Sequence, residues 1–251
     1  MSPQSLNEIL NDLPNQFFAD ILQLKKKLSY IPGQNNAQVF ALCSSNSGEG
    51  TSTIAHTLAL MLALNNSEFE APGDGLAVEY KNGSNTSYSG NYSKRSKVAV
   101  IDANLNAPIL HDFMHVSRKC GLVEYLEDHQ AYSQTLKWVV EDRLAFITAG
   151  RQTEYGIDLF YSNRFKELLT KLRSEFQFVI LDCSPINLSP DIVALIDAVD
   201  GVVLTVQADK TNVSDVLKSR FILQKHGASN VGVVLNRYQQ KIPDRLNRTF
   251  Y

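Results

Sequence analysis

Short apolar runs at residues 39–43, 98–101, 144–148, 178–181, 201–206 and 231–235 recur along the chain. A strand with one face in water alternates apolar and polar residues. A run that is apolar at every position must be covered on both faces. Between several of these runs the apolar residues return at helical spacing, at 54–64, 165–176, 192–199 and 213–226. Buried strands separated by helices predict an α/β protein, a three-layer sandwich around a mostly parallel sheet. Near the N-terminus Leu6, Ile9, Leu10 and Leu13, then Phe17, Ile21, Leu24 and Leu28, follow spacings of three and four. They predict amphipathic helix interrupted near Pro14, with Lys25, Lys26 and Lys27 as its solvated basic end.

The boundaries that follow are an N-terminal helical segment at 1–33, one domain at 34–236 and a C-terminal tail at 237–251. The domain carries an insertion at 66–96, rich in Ser, Asn and Gly and far longer than an ordinary connection. Within it, residues 76–80 and the Asn82-Gly83 pair could form a small hairpin. Its tyrosines Tyr80, Tyr88 and Tyr92 are a minority candidate for a partner or modification site.

Composition narrows the function classes. The chain has 251 residues, 24 Lys and Arg against 26 Asp and Glu, and a net charge of −2. Such a balance disfavours nucleic acid as the main partner. Cys43, Cys120 and Cys183 are odd in number and far apart, which argues against a disulfide framework or a zinc site. Cys43 and Cys183 are expected in the core. His111 and His115 are four residues apart without a third ligand nearby, so no metal site is expected there. No run approaches the length of a membrane span and no leader is evident, so the expected location is cytoplasmic.

The chemistry gathers where the strands end. The first apolar run passes into Ser44-Ser45-Asn46-Ser47-Gly48-Glu49-Gly50-Thr51-Ser52-Thr53 and then directly into a helix. Such a loop wraps phosphates with inward-pointing N–H groups, glycines permit close approach, and the helix N-terminus adds partial positive charge. Against the pattern G-x-x-x-x-G-K-[ST], Ser45 takes the first Gly place, Thr51 stands where lysine is expected, and Ser52 keeps the hydroxyl of the magnesium position. Two further runs end in carboxylates, Asp102 and Asp182. In an open parallel sheet ligands bind at the C-terminal strand edges, so the two are expected beside the loop.

In this combination the chain resembles the cytoplasmic domain of the bacterial tyrosine kinases of capsule and exopolysaccharide synthesis, within the MinD/ParA-like deviant Walker P-loop ATPases. The resemblance covers roughly residues 16–242. Beyond the loop it is carried by Ile101-Asp102-Ala103-Asn104-Leu105-Asn106-Ala107-Pro108 with Leu110-His111, by Gly121-Leu122-Val123-Glu124-Tyr125-Leu126, by residues 200–206, and by Gly232-Val233-Val234-Leu235-Asn236-Arg237. It implies ATP or ADP held by Ser47, Gly48, Glu49, Gly50, Thr51, Ser52 and Thr53, with Asn236 and Arg237 near the adenine. It implies magnesium at Ser52, Asp102 and Asp182. The implied partners are an inner-membrane polysaccharide co-polymerase-like protein, which would recruit the chain to the membrane, and further copies of the chain.

The departures are as informative. Thr51 replaces the lysine that contacts the phosphates, and Asn104 replaces a second aspartate that assists catalysis. A single positioned donor is worth roughly 3–4 kcal/mol of transition-state stabilisation, so two such losses leave little phosphotransfer. The tail carries Tyr238 and Tyr251 but no tyrosine cluster, and no Glu- and Arg-based assembly motif is recognisable at 16–28. The leading expectation is a catalytically degenerate, pseudokinase-like protein of polysaccharide export. The alternatives are an active autokinase or ATPase borrowing a cation such as Lys81, Lys94, Arg95 or Lys97, and a ParA- or MinD-like positioning ATPase.

Overall fold

The computed structural model describes residues 13–34, 37–64, 97–153 and 156–239. The expected helix before residue 13, the 66–96 insertion with its hairpin and tyrosines, and the tail from 240 onward lie outside the described residues.

The centre is a seven-stranded sheet built from β1 (Gln38–Ser44), β2 (Val98–Ala103), β3 (Leu136–Val140), β4 (Leu144–Ile147), β5 (Phe178–Cys183), β6 (Gly201–Gln207) and β7 (Val231–Asn236). Its order is β3-β4-β2-β5-β1-β6-β7. Every neighbouring pair is parallel except β3 with β4. Successive side chains of a strand point to opposite faces, and β1 shows why an all-apolar run was needed. Val39, Ala41 and Cys43 enter one core, while Phe40 and Leu42 enter the other.

Helices cover both faces. On one side lie α1 (Asn15–Leu28), α2 (Thr51–Ala63) and α3 (Leu110–Phe113), which contribute Ile21, Leu28, Ile54, Leu58 and Leu110 to the core. On the other lie α4 (Leu122–Leu126), α5 (Tyr132–Thr135), α6 (Gly156–Tyr161), α7 (Asn163–Glu175), α8 (Asp191–Leu195) and α9 (Val213–Lys225). Phe160, Phe165, Leu168, Leu172, Ile192, Leu195 and Leu223 pack there. The helix expected over 192–199 is thus α8 followed by a 3₁₀ turn at Ile196–Ala198.

Two features depart from the sequence reading. Strand β3 hides in a stretch containing Lys137 and exposed Trp138, because an antiparallel edge strand needs only one apolar side. The basic end of α1 is also not wholly solvated. Lys25 Nζ donates to the Met61 carbonyl at 2.7 Å, supplying the last turn of α2 with a donor. Burial lowers the Lys25 pKa to about 8.

At the edge of the sheet away from the strand C-termini, a buried ion pair ties three segments together. Arg173 of α7 grips Asp200 through Nη1–Oδ2 at 2.8 Å and Nη2–Oδ1 at 3.2 Å. The same guanidinium donates to the Ala37 and Ala198 carbonyls, and Asp200 also accepts from the Val39 N–H. Among the described residues no helix is long and apolar enough to cross a membrane.

Candidate functional site: a phosphate-type loop facing two buried carboxylates

The sheet reverses its winding at β1: the chain moves from β1 past β5 to β2 on one side, and to β6 and β7 on the other. That switch point opens a crevice at the C-terminal strand ends. The loop between β1 and α2 lies over it. Gly48 and Gly50 both take positive φ, 79° and 92°, which residues with a Cβ rarely adopt. The surroundings of Gly48 are open. Gly50 has no such room: a Cβ there would collide with the Asn236 side-chain amide. Immediately after Gly50 the helix begins, leaving the first-turn N–H groups of Thr51, Ser52 and Thr53 without intrahelical partners.

The loop holds this shape through bonds to its own scaffold. Glu49 is buried, and its side chain turns inward: Oε2 accepts from the Ser45 N–H at 2.9 Å and Oε1 from the Thr211 hydroxyl at 2.6 Å. The Asn236 amide donates to the Glu49 carbonyl at 2.7 Å. Asn46 donates to Asp215 at 3.0 Å, and Ser219 donates to the Ser45 hydroxyl at 3.0 Å. Arg237 lies just beyond, with Nη1 at 3.3 Å from the Gln207 amide oxygen. Ser47 and Gly48 form the exposed crown.

Asp102 and Asp182 are aligned partners on adjacent parallel strands, so their carboxylates leave the sheet side by side. Both are buried. Asp102 accepts from the Asn104 and Leu110 N–H groups at 3.3 and 3.2 Å. Its pKa is nonetheless raised well above the carboxylate range, first by burial and then by the neighbouring Asp182 charge, against the opposing pull of those N–H groups and of Arg118. Neither carboxylate oxygen of Asp182 has a hydrogen-bond partner among the described residues. Burial raises its pKa to about 7, and the nearby Ser52 hydroxyl opposes the shift without closing a hydrogen bond.

Thr51, at the lysine position, is also buried, and its Oγ1 is likewise without a partner among the described residues. Asn104 is fully engaged: Oδ1 accepts from the Ser184 hydroxyl at 2.9 Å and the Ala107 N–H at 3.2 Å, while Nδ2 donates to the Ala107 carbonyl at 3.0 Å. It ties the end of β2 to the end of β5. Of the proposed substitute cations, Lys97 pairs with Asp142 at 3.0 Å just before β2 begins, at the opposite edge of the sheet. Lys81, Lys94 and Arg95 lie outside the described residues. Cys43 and Cys183 are buried beneath the site, and burial pushes the Cys43 thiol up to about 12 and Cys183 well above its usual value, so both stay protonated.

The donor set fits a hard divalent cation. Two carboxylates and the Ser52 hydroxyl are all oxygen ligands, and the bare oxygens of Asp182 are buried acceptors such an ion would satisfy. The open crown and the helix N-terminus fit a phosphate group, without the lysine that would add a full positive charge.

Sequence reading missed the bracing residues Thr211, Asp215, Ser219 and Ser184. One signal was available. Asp215 and Ser219 stand four apart on α9, and Ser219 interrupts the helix's buried side.

Known proteins are similar to this chain in sequence and in fold. The putative tyrosine-protein kinase CapB of Staphylococcus aureus is 28% identical over 155 residues, covering 62% of this chain and 66% of CapB, just under two thirds of its length. Tyrosine-protein kinase CpsD of Streptococcus agalactiae is 23% identical over 211 residues, covering 84% of this chain and 79% of that protein. The kinase domain of the Escherichia coli tyrosine kinase ETK superposes with a TM-score of 0.69 at 19% identity, covering 89% of this chain and 78% of that structure. The septum site-determining protein MinD of Pyrococcus horikoshii, complexed with Mg-ADP, superposes with a TM-score of 0.57 at 15% identity, covering 85% and 76%. No protein-family profile matches the chain. The resemblance read from the sequence is therefore shown: the chain is similar to bacterial tyrosine-kinase domains and has the α/β fold of the MinD/ParA-like P-loop proteins.

Proposed function

We propose that this chain is a catalytically degenerate relative of the capsule and exopolysaccharide tyrosine kinases. It would keep a nucleotide-shaped site and act in polysaccharide synthesis or export by contacting an inner-membrane chain-length protein, which would recruit it to the cytoplasmic face. The observation that carries this reading is the pairing of the loop and carboxylate pair with a buried Thr51 hydroxyl, without a partner among the described residues, where the lysine belongs. The engagement of Asn104 with Ser184 and Ala107 supports it, because a neutral side chain with its polar atoms occupied supplies no carboxylate base.

The backbone donors and Ser52 can still hold a diphosphate with magnesium. Losing the charge-assisted contact weakens binding by about 1.5–3 kcal/mol, or about 10- to 150-fold. The test is calorimetric titration of Mg-ATP and Mg-ADP into wild type and a Thr51→Lys variant, with transfer to tyrosine followed on the same preparations. The expected result is weak or no binding by wild type, a gain of that size in the variant, and no phosphotyrosine from wild type. Transfer by wild type at the rate of an intact kinase overturns the reading.

A further inference from the structure

Beyond the carboxylate pair, on the side away from the phosphate-type loop, the chain between α3 and α4 folds back over the sheet. Strands β2 and β4 are neighbours with Ile101 aligned to Ile147, so Asp102 and Thr148 are the next residues in register. Val98, Val100, Leu144 and Phe146 of these strands all enter the core beneath α2. Side chains two apart on a strand share a face, so Asp102 and Thr148 leave the sheet on that same side. Lys137 of β3, aligned with Phe146, joins them there.

This segment is fastened at both ends beside Asp102. At its start the Leu110 N–H donates to the Asp102 carboxylate at 3.2 Å. At its end three successive carbonyls are engaged. Lys137 Nζ donates to those of Ser117 and Lys119, each at 2.6 Å, and the Thr148 hydroxyl donates to that of Arg118 at 2.9 Å. Lys137 Nζ also donates to the Thr148 hydroxyl at 3.1 Å. The backbone turns left-handed at His115 and Cys120, with φ of 51° and 57°, a conformation such residues adopt where their surroundings impose it.

Arg118 therefore rises from a fixed point one strand away from Asp102. Its side chain is exposed, and among the described residues its guanidinium has no hydrogen-bond or ion-pair partner. A guanidinium stays charged at every working pH and offers a fork of donors that matches phosphate oxygens. Its field already reaches the site. Burial and then the Asp182 charge raise the pKa of Asp102, and Arg118 is the cation that opposes them. Across this part of the sheet the strands run β1, β5, β2, β4. The phosphate-type loop follows β1, Asp182 and Asp102 stand on β5 and β2, and Arg118 is held over the end of β4. A phosphate chain held by the loop and continuing past the carboxylates meets Arg118 at its far end.

We propose that Arg118 is the phosphate-binding cation of this site, gripping the terminal phosphate of a nucleoside triphosphate from the end opposite Thr51. The inference rests on the reading of the site as one for nucleotide. It adds a specificity that the loop's backbone donors do not supply, a preference for triphosphate over diphosphate. It also assigns the work of holding the loop after α3 to Lys137 and Thr148, whose polar groups are engaged with its carbonyls, leaving the Arg118 side chain for the ligand.

Calorimetric titration of Mg-ATP and Mg-ADP tests it on Arg118→Gln, Arg118→Lys and Lys119→Gln, each made in wild type and in Thr51→Lys. Both side chains are exposed, so the fold should tolerate the changes, and circular dichroism checks this. Arg118→Gln should bind Mg-ATP about 10-fold or more weakly than its parent, as for a lost charge-assisted hydrogen bond, and Mg-ADP within about 2-fold of it. Arg118→Lys should recover part of the loss, since it keeps the charge without the fork, and Lys119→Gln should match its parent. Unchanged Mg-ATP binding by Arg118→Gln overturns the proposal. So does an equal loss for Mg-ADP, or an equal loss from Lys119→Gln. If Thr51→Lys binds where wild type does not, the comparison in that background decides. If neither parent binds either nucleotide, the nucleotide reading itself falls and this inference falls with it.

Discussion

Replacing Gly50 by alanine tests the claim that Asn236 shapes the loop. Two costs are separable. Holding a residue with a Cβ at a left-handed φ costs roughly 1–2 kcal/mol, and Gly50 sits at 92°. The added methyl also collides with the Asn236 amide, which must withdraw from the Glu49 carbonyl it meets at 2.7 Å. Losing that bond costs about 1 kcal/mol. Gly50→Ala alone should therefore destabilise by roughly 2–3 kcal/mol, and Asn236→Ala alone by about 1 kcal/mol. The double variant loses the same bond only once, so it should match Gly50→Ala. The cycle should give a coupling of about 1 kcal/mol, measured from urea midpoints at constant m-value. Additivity within about 0.4 kcal/mol would refute the reasoning, since it would mean that Asn236 does not occupy the space a Cβ at Gly50 needs.

Two further outcomes follow from the buried charges. Asp182 has a folded pKa of about 7, above its unfolded value of 3.8, so its contribution is fully present below 3.8 and is lost as pH rises through 7. In chelator, Asp182→Asn should equal wild type near pH 4 and exceed it near pH 8 by roughly 4 kcal/mol, seen as a higher melting temperature; equal pH profiles would count against a buried carboxylate without a partner among the described residues. Arg173→Met leaves Asp200 buried without its guanidinium and should cost about 3–5 kcal/mol in urea unfolding, part of it recovered by adding Asp200→Asn; a loss under 1 kcal/mol would contradict the pairing.

Much of this architecture was legible because burial on both faces leaves an unmistakable mark. Residues 178–181 had to be a covered strand, and Asp102 and Asp182 marked its C-terminal edge and that of the strand beside it. Strand β3 was not legible, because Trp138 and Lys137 satisfy an edge position without an apolar run. Short helices such as Leu110–Phe113 span barely one turn and leave no periodicity to read. The loop's residues were nameable from spacing, but the direction of the Glu49 side chain was not. It depends on Thr211, 162 residues away in sequence, and no local pattern encodes that contact.

That long-range bracing also means that the loop's shape does not rest on the side chain at position 51. Inward-pointing N–H groups would collapse or seek other acceptors if their geometry depended on a bound phosphate or a nearby cation. Here Glu49 is held by Thr211 of the β6–α9 connection and by Asn236 of β7, and Asn46 and Ser45 by Asp215 and Ser219 of α9, and none of these bonds involves Thr51. Shape and charge at the site are therefore separate properties. A substitution at Thr51 alters the charge offered to a phosphate while the loop's own bonds stay intact. The same separation makes Thr51→Lys informative, because the variant places a cation in a loop whose geometry does not depend on residue 51. The loop's amides at 45–53 should therefore keep wild-type protection in hydrogen exchange, and a Thr51→Lys protein in which they exchange faster than in wild type would show that shape and charge are coupled after all.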